Sequence, residues 1–177
     1  MKFKKLIKGK NLNLRKLEMK YKRDIYELRQ DKDVTRFLPN KYQESLRKTE
    51  EYINNCDIKW GIKRTLSYVI DVGRIAGIIM LSKLDFKNKN CELGIWLGKE
   101  FWHKNISKEA TYLLLDYAFN ELNMERVFFS INLNNTPSVR FFEKIGAKKE
   151  GILRKARFVN GKFEDKLVYS ILKEEFK

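Results

Sequence analysis

The residues best suited to chemistry lie between Cys91 and Ile152. The β-rich run Glu92-Leu93-Gly94-Ile95-Trp96-Leu97 precedes a polar loop, Trp102-His103-Lys104-Asn105-Ile106-Ser107, and a helical pattern starts directly behind that loop. Strand, loop and helix start in this order leave backbone N–H groups without intrahelical acceptors. Such groups, aided by the helix dipole, hold phosphate. A second strand ends in Asn134-Asn135-Thr136-Pro137-Ser138 and enters another helix. Metal chemistry has little to work with. His103 is the only histidine, and Cys56 and Cys91 are too few for a disulfide framework and too far apart for a metal motif. Both cysteines are expected as free thiols.

Periodicity supplies the elements that must position these residues. Leu12 to Leu17 alternates as a strand. Lys22 to Asp31 reads as an amphipathic helix, and Asp33 to Pro39 as a helix-to-loop transition stopped by proline. Ser45 to Trp60 is a second helix with Ser45 as its cap. Leu66 to Val72, Arg74 to Leu84 and Cys91 to Leu97 are three strands whose short connections predict an antiparallel meander. Ile106 to Leu122 has the strongest helical pattern. Ser107 is the expected cap for a start at Lys108, and Glu109 sits in the first turn, where a carboxylate suits the dipole. Arg126 to Leu133 is a strand and Ser138 to Ile145 a helix, with Pro137 at its start and Gly146 past its end. Gly151 to Val159 and Lys162 to Leu172 form a hairpin around Asn160-Gly161. The fold class is α/β (α+β), a mixed, mostly antiparallel sheet flanked by helices rather than a doubly wound sheet.

At 177 residues, 43% of them hydrophobic, the chain is long and apolar enough for one domain, residues 1–177, with a real core. No signal-peptide core or membrane-length apolar run occurs, so a cytoplasmic location and no membrane partner are expected. The net charge is +15. One reading is an anionic partner, from nucleic acid to a polyphosphate cofactor; the other is a surface of scattered lysines, and the interleaving of Lys with Glu favours scatter. No nucleic-acid motif accompanies the charge, so no specific nucleic acid is expected.

Order and residues together resemble the GNAT superfamily of N-acetyltransferases over almost the whole chain. Glu92-Leu93-Gly94-Ile95-Trp96-Leu97 followed by Trp102-His103-Lys104-Asn105-Ile106-Ser107-Lys108-Glu109-Ala110 resembles the family run E-x-G-y-w-l, then W-G-K-G-Y-A-T-E-A. Asn135, Ser138, Glu143-Lys144-Ile145-Gly146-Ala147 and Glu150-Gly151 resemble N-x-x-S … E-K-x-G-F-x-x-E-G. The ribosomal-protein alanine and the spermidine N-acetyltransferases are the nearest groups.

The resemblance implies a splayed sheet and direct transfer of an acetyl group from acetyl-CoA to a primary amine, with no metal. It implies that the backbone of Ile95, Trp96 and Leu97 pairs with the pantetheine arm. Amides of Trp102, His103, Lys104, Asn105, Ile106 and Ser107 would hold the pyrophosphate. Asn135 would bond the pantetheine, and Ser138 and Phe142 would line the cofactor. Glu92 is the implied general base; its other reading is a strand carboxylate paired with lysine. Ser138 is an implied acid or cofactor contact, more readily a contact because a hydroxyl is a weak acid. Asp165 is expected to be a structural partner in the last hairpin. The implied partner is a small-molecule or peptide amine, and self-association as a homodimer is allowed.

Three departures qualify the match. His103 and Asn105 replace glycines of the phosphate loop, and glycine is what lets a backbone take φ > 0 close to a phosphate. Phe142 replaces a tyrosine that protonates the departing thiolate in many spermidine-type enzymes. The alternative function is therefore a non-catalytic module of the same fold with a decayed phosphate loop.

Overall fold

The computed structural model describes residues 2–38, 45–159 and 161–176. The strands are β1 (Leu6–Lys8), β2 (Asn13–Lys16), β3 (Thr65–Asp71), β4 (Ile75–Asp85), β5 (Asn90–Leu97), β6 (Arg126–Asn132), β7 (Lys148–Val159) and β8 (Lys162–Leu172). The helices are α1 (Lys22–Leu28), α2 (Lys32–Thr35), α3 (Leu46–Gly61), α4 (Ile106–Asp116) and α5 (Thr136–Lys144). α4 continues through a wider π turn, Tyr117–Glu121. β1 is too short to announce itself in the sequence.

The strands form one sheet in the order β1-β2-β3-β4-β5-β6-β8-β7. β2 to β5 are the expected antiparallel meander. β5 and β6 are parallel, and they pair only at Asn90↔Arg126, Cys91↔Val127 and Glu92↔Phe128. Beyond Glu92 the strands part. β5 remains bonded to β4 as far as Leu97, and β6 to β8 as far as Asn132. The facing edges 93–97 and 129–132 therefore have no ladder partner among the described residues. That wedge is the dominant feature of the fold.

Alternation along the strands sorts side chains onto two faces. Leu93, Leu97, Phe129, Ile131, Leu167 and Tyr169 join α4 and α5 in the larger core. A smaller core on the other face joins Ile25 of α1, Ile53 and Cys56 of α3, Val69 and Ile78, with Trp96 packed against it. A Cβ on Gly77 would lie 2.2 Å from the Trp96 carbonyl oxygen, so only glycine lets β4 approach β5 this closely.

Local chemistry explains the helix ends. The Ser45 hydroxyl accepts from the Lys48 amide at 3.3 Å, the expected cap of α3. The Asn135 side chain caps α5 by accepting from the Ser138 amide. Gly146, at φ 92°, ends the turn after α5. α4 departs from expectation. It starts at Ile106 with Asn105 as the residue before it, so Ser107 lies inside the first turn rather than capping it. Asp165 accepts from the Lys155 amide at 2.8 Å, the structural role expected of it. Asn160, half of the expected hairpin signal, lies outside the described residues, as does Pro39, the expected stop of the helix-to-loop transition.

Candidate active site

The wedge opens toward the N-terminus of α4. Among the described residues, no backbone or side-chain group accepts from the amides of residues 103–108; the first bond back is Glu109 N–H to the Asn105 carbonyl at 3.1 Å. His103 and Asn105 both adopt left-handed backbone, at φ 60° and 59°. These are the two positions where glycine was missing. Alternating left-handed residues turn successive N–H groups toward one concavity, which suits an anion. His103, Lys104 and Lys108 surround it as exposed side chains. Glu109 does not oppose the anion freely, because its carboxylate accepts the Asn11 amide at 2.7 Å and the Asn11 side chain at 2.9 Å. Burial raises the Glu109 pKa, but the amides of Asn11, Lys10 and Leu12 outweigh it and hold the group below its ordinary value. A shallow hollow of ≈ 330 Å³ follows, lined by Asn105, Lys108, Glu109 and Tyr112.

The Trp102 amide, expected among the phosphate-holding donors, donates instead to the Lys99 carbonyl at 3.1 Å, and the side chain of Trp102 is fixed as well. Its indole N–H donates to the Leu97 carbonyl at 3.0 Å. It therefore anchors the loop to the end of β5, and this carbonyl is already engaged. Ile95 packs against the larger core and Trp96 against the smaller one, so their backbone lies along the free edge.

On the β6 side, Asn135 and Ser138 meet at the start of α5, with the Ser138 amide 3.3 Å from Asn135 Oδ1. Phe142 is only 5% exposed. Its ring lies 4.2 Å from that of Phe129, centroid to centroid, inside the larger core. The structure thus gives Phe142 a packing role under the wedge.

Glu92 sits where the strands part, on the face of Trp96. Lys83 Nζ lies 2.8 Å from its carboxylate, whose side chain is 16% exposed. This is the lysine pairing that the sequence left open, at the last paired position before the strands part. The same face holds Arg29, buried at 3% exposure, with its guanidinium over the rings of Tyr52 and Trp96 at 5.5 and 5.8 Å. Burial lowers the Arg29 pKa.

Two residues of this face escaped the sequence reading. Arg157 on β7 donates to the carbonyls of Phe37 and Leu38 at 3.2 and 2.5 Å, tying the hairpin to the segment that enters residues 39–44. Lys166 on β8 is half-buried beside Glu92, Arg157, Lys83 and Glu164. Nothing in the sequence separates them from the many surface cations.

No group of three or more His, Cys, Asp or Glu residues among those described could hold a metal. Both thiols are free and buried, and burial pushes Cys91 up to about 12. No helix among the described residues is long and apolar enough to cross a membrane.

A wedge between parallel strands with an amide-lined helix start at its mouth suits an extended ligand that ends in phosphate, and the family comparison gives the class of protein. Residues 11–148 match the acetyltransferase (GNAT) domain. The chain belongs to the GNAT family of acetyl-transferring enzymes. It is 39% identical over 104 residues to YdaF of Bacillus subtilis, which bears the name of a ribosomal N-acetyltransferase, covering 59% of this chain and 57% of that one. A GNAT acetyltransferase from Bacillus anthracis has the same architecture, with TM-score 0.83 and 27% identity over 96% of this chain and 99% of the other. The fold also matches a Vibrio cholerae spermidine N-acetyltransferase solved with CoA and spermine, at TM-score 0.82, 24% identity and coverages of 95% and 99%.

Proposed function

We propose that the chain moves an acetyl group from acetyl-CoA to a primary amine by direct attack. The observation that carries this is the parting of β5 and β6 above Glu92, with the outward amides of residues 103–108 at the open end. Those amides and the α4 dipole would hold the pyrophosphate. The free edge of β5 at Ile95 and Trp96 would pair with the pantetheine. Leu97 would contribute less, since its carbonyl serves Trp102. The Asn135 side chain keeps its N–H₂ donors for the same arm while its oxygen caps α5. Ser138 would contact the cofactor, and Phe142 would form the floor beneath it.

The amine nitrogen then attacks the thioester carbon, and a backbone N–H stabilises the oxyanion. The C–S bond breaks and coenzyme A leaves as a thiolate. Glu92 takes the amine proton, directly or through one water. Phe142 cannot protonate the thiolate, and a thiolate is a tolerable leaving group near neutral pH. The left-handed backbone of His103 and Asn105 argues against the decayed-loop alternative, because the shape that glycine would give is present without it.

A cytoplasmic location fits the two unpaired thiols. The test is a thermal shift with acetyl-CoA followed by thiol release with an amine panel. Saturation should raise Tm and at least one amine should release thiol. No shift at millimolar acetyl-CoA sinks the reading.

A further inference from the structure

Register places one set of charges together on the acceptor side of the wedge. Glu92 pairs with Phe128, Phe128 shares a face with Asn132, and Asn132 pairs with Lys166. Glu164 lies two residues from Lys166, and Arg157 pairs with Glu164. Glu92, Lys166, Glu164 and Arg157 therefore project from the same face, and Lys83 reaches it through its ion pair. Trp96, four residues along β5 from Glu92, shares it as well.

Both carboxylates of this set are engaged. Glu92 faces Lys83 at 2.8 Å. Glu164 accepts from the Asn132 side chain at 2.7 Å and lies 3.9 Å from Arg157. Lys166 differs. It is half-buried, yet among the described residues it makes neither an ion pair nor a side-chain hydrogen bond. Burial lowers its pKa; Arg157 and Lys83 push the same way, against Glu92 and Glu164. A lysine displayed for solubility would extend into water, where an ammonium is well hydrated. This one lies on the sheet beside the candidate base.

We infer that Lys166 receives an anionic oxygen group carried by the acceptor itself, so that the acceptor is a small amine bearing a carboxylate or phosphate and not a polyamine. The inference rests on the acetyl-transfer reading and adds the acceptor's chemistry to it. A polyamine brings further ammonium groups, and the two carboxylates that these strands place beside Lys166, Glu92 and Glu164, already hold a cation or donor. An amine with an anionic oxygen meets Lys166 with its anion while its nitrogen faces Glu92. The resulting bond is charge-assisted and half-shielded from water, so it discriminates.

The experiment pairs acceptors that differ only in the anion. Tyrosine is compared with tyramine and phosphoethanolamine with ethanolamine, which separates carboxylate from phosphate, and spermidine is the polyamine arm. We expect the anionic member of at least one pair to exceed its partner about tenfold or more in kcat/KM. Lys166→Met should erase that ratio by raising the acceptor KM while leaving the Kd for CoA unchanged. Spermidine or the neutral amines performing as well as the anionic ones would overturn the inference, as would a ratio that survives Lys166→Met. Should CoA bind but no amine turn over, the acetyl-transfer reading fails separately. Calorimetry of tyrosine against tyramine on the CoA-loaded protein then decides the inference, and equal affinities reject it.

Discussion

The proposed cofactor mouth of the wedge and the proposed acceptor face are built in opposite ways. At the mouth the donors are backbone amides of residues 103–108, and the side chains around them stand in solvent. On the acceptor face the groups are side chains, Glu92, Lys166, Arg157 and Glu164, arranged by register. A site made of main chain tolerates sequence change as long as the backbone keeps its shape. A site made of side chains changes its ligand with a single substitution. On the proposed assignment, cofactor use is insulated from mutation and acceptor choice is exposed to it.

The contrast is tested first at Glu92. Glu92→Gln should lower turnover by roughly 10²–10⁴-fold with the Kd for acetyl-CoA unchanged, in steady-state and binding assays on the same preparation. Full activity across the pH range would remove Glu92 from the mechanism. Ser107→Pro is next. Proline suits the first turn of a helix and deletes one amide donor. It should weaken CoA binding by the equivalent of about 1.5–3 kcal/mol, whereas Ser107→Ala should hardly matter. If both variants bind alike by calorimetry, main-chain recognition is wrong.

Much of the fold was readable in advance. The meander, the cap at Ser45 and the turn at Gly146 follow from local rules, because each depends on residues within a few positions. The residues of β5 and of the loop ahead of α4 were singled out through motif and resemblance, and their cofactor roles remain proposals. The acceptor face was not. Lys166 and Arg157 acquire meaning only when β8 is laid beside β6 and β7, a long-range register that no local pattern encodes. The start of α4 was misread because Ser107 has the chemistry of a cap, while the left-handed Asn105 ends the loop without one.

Smaller effects refine the picture of the mouth. Asn105→Ala keeps the amide but loses a residue that tolerates φ > 0, so it should cost about 1–2 kcal/mol in chemical denaturation. Asn105→Gly should leave CoA affinity nearly unchanged, since the loop already has the required backbone. A large tightening would show that the Asn105 side chain obstructs the phosphate. His103→Gly removes strain but frees the unfolded chain, so its net gain should be about 1 kcal/mol or less. A loss of stability would mean that the imidazole has a partner worth keeping.

The three-pair contact between β5 and β6 has a consequence for solution behaviour. It leaves two bare strand edges facing each other inside one molecule, and bare edges recruit foreign strands. A cofactor seated between them as proposed would act as the missing strand and also shield the protein from intermolecular β-pairing. The ligand-free protein should therefore aggregate on gentle heating through this gap, and CoA should suppress that aggregation at temperatures well below unfolding.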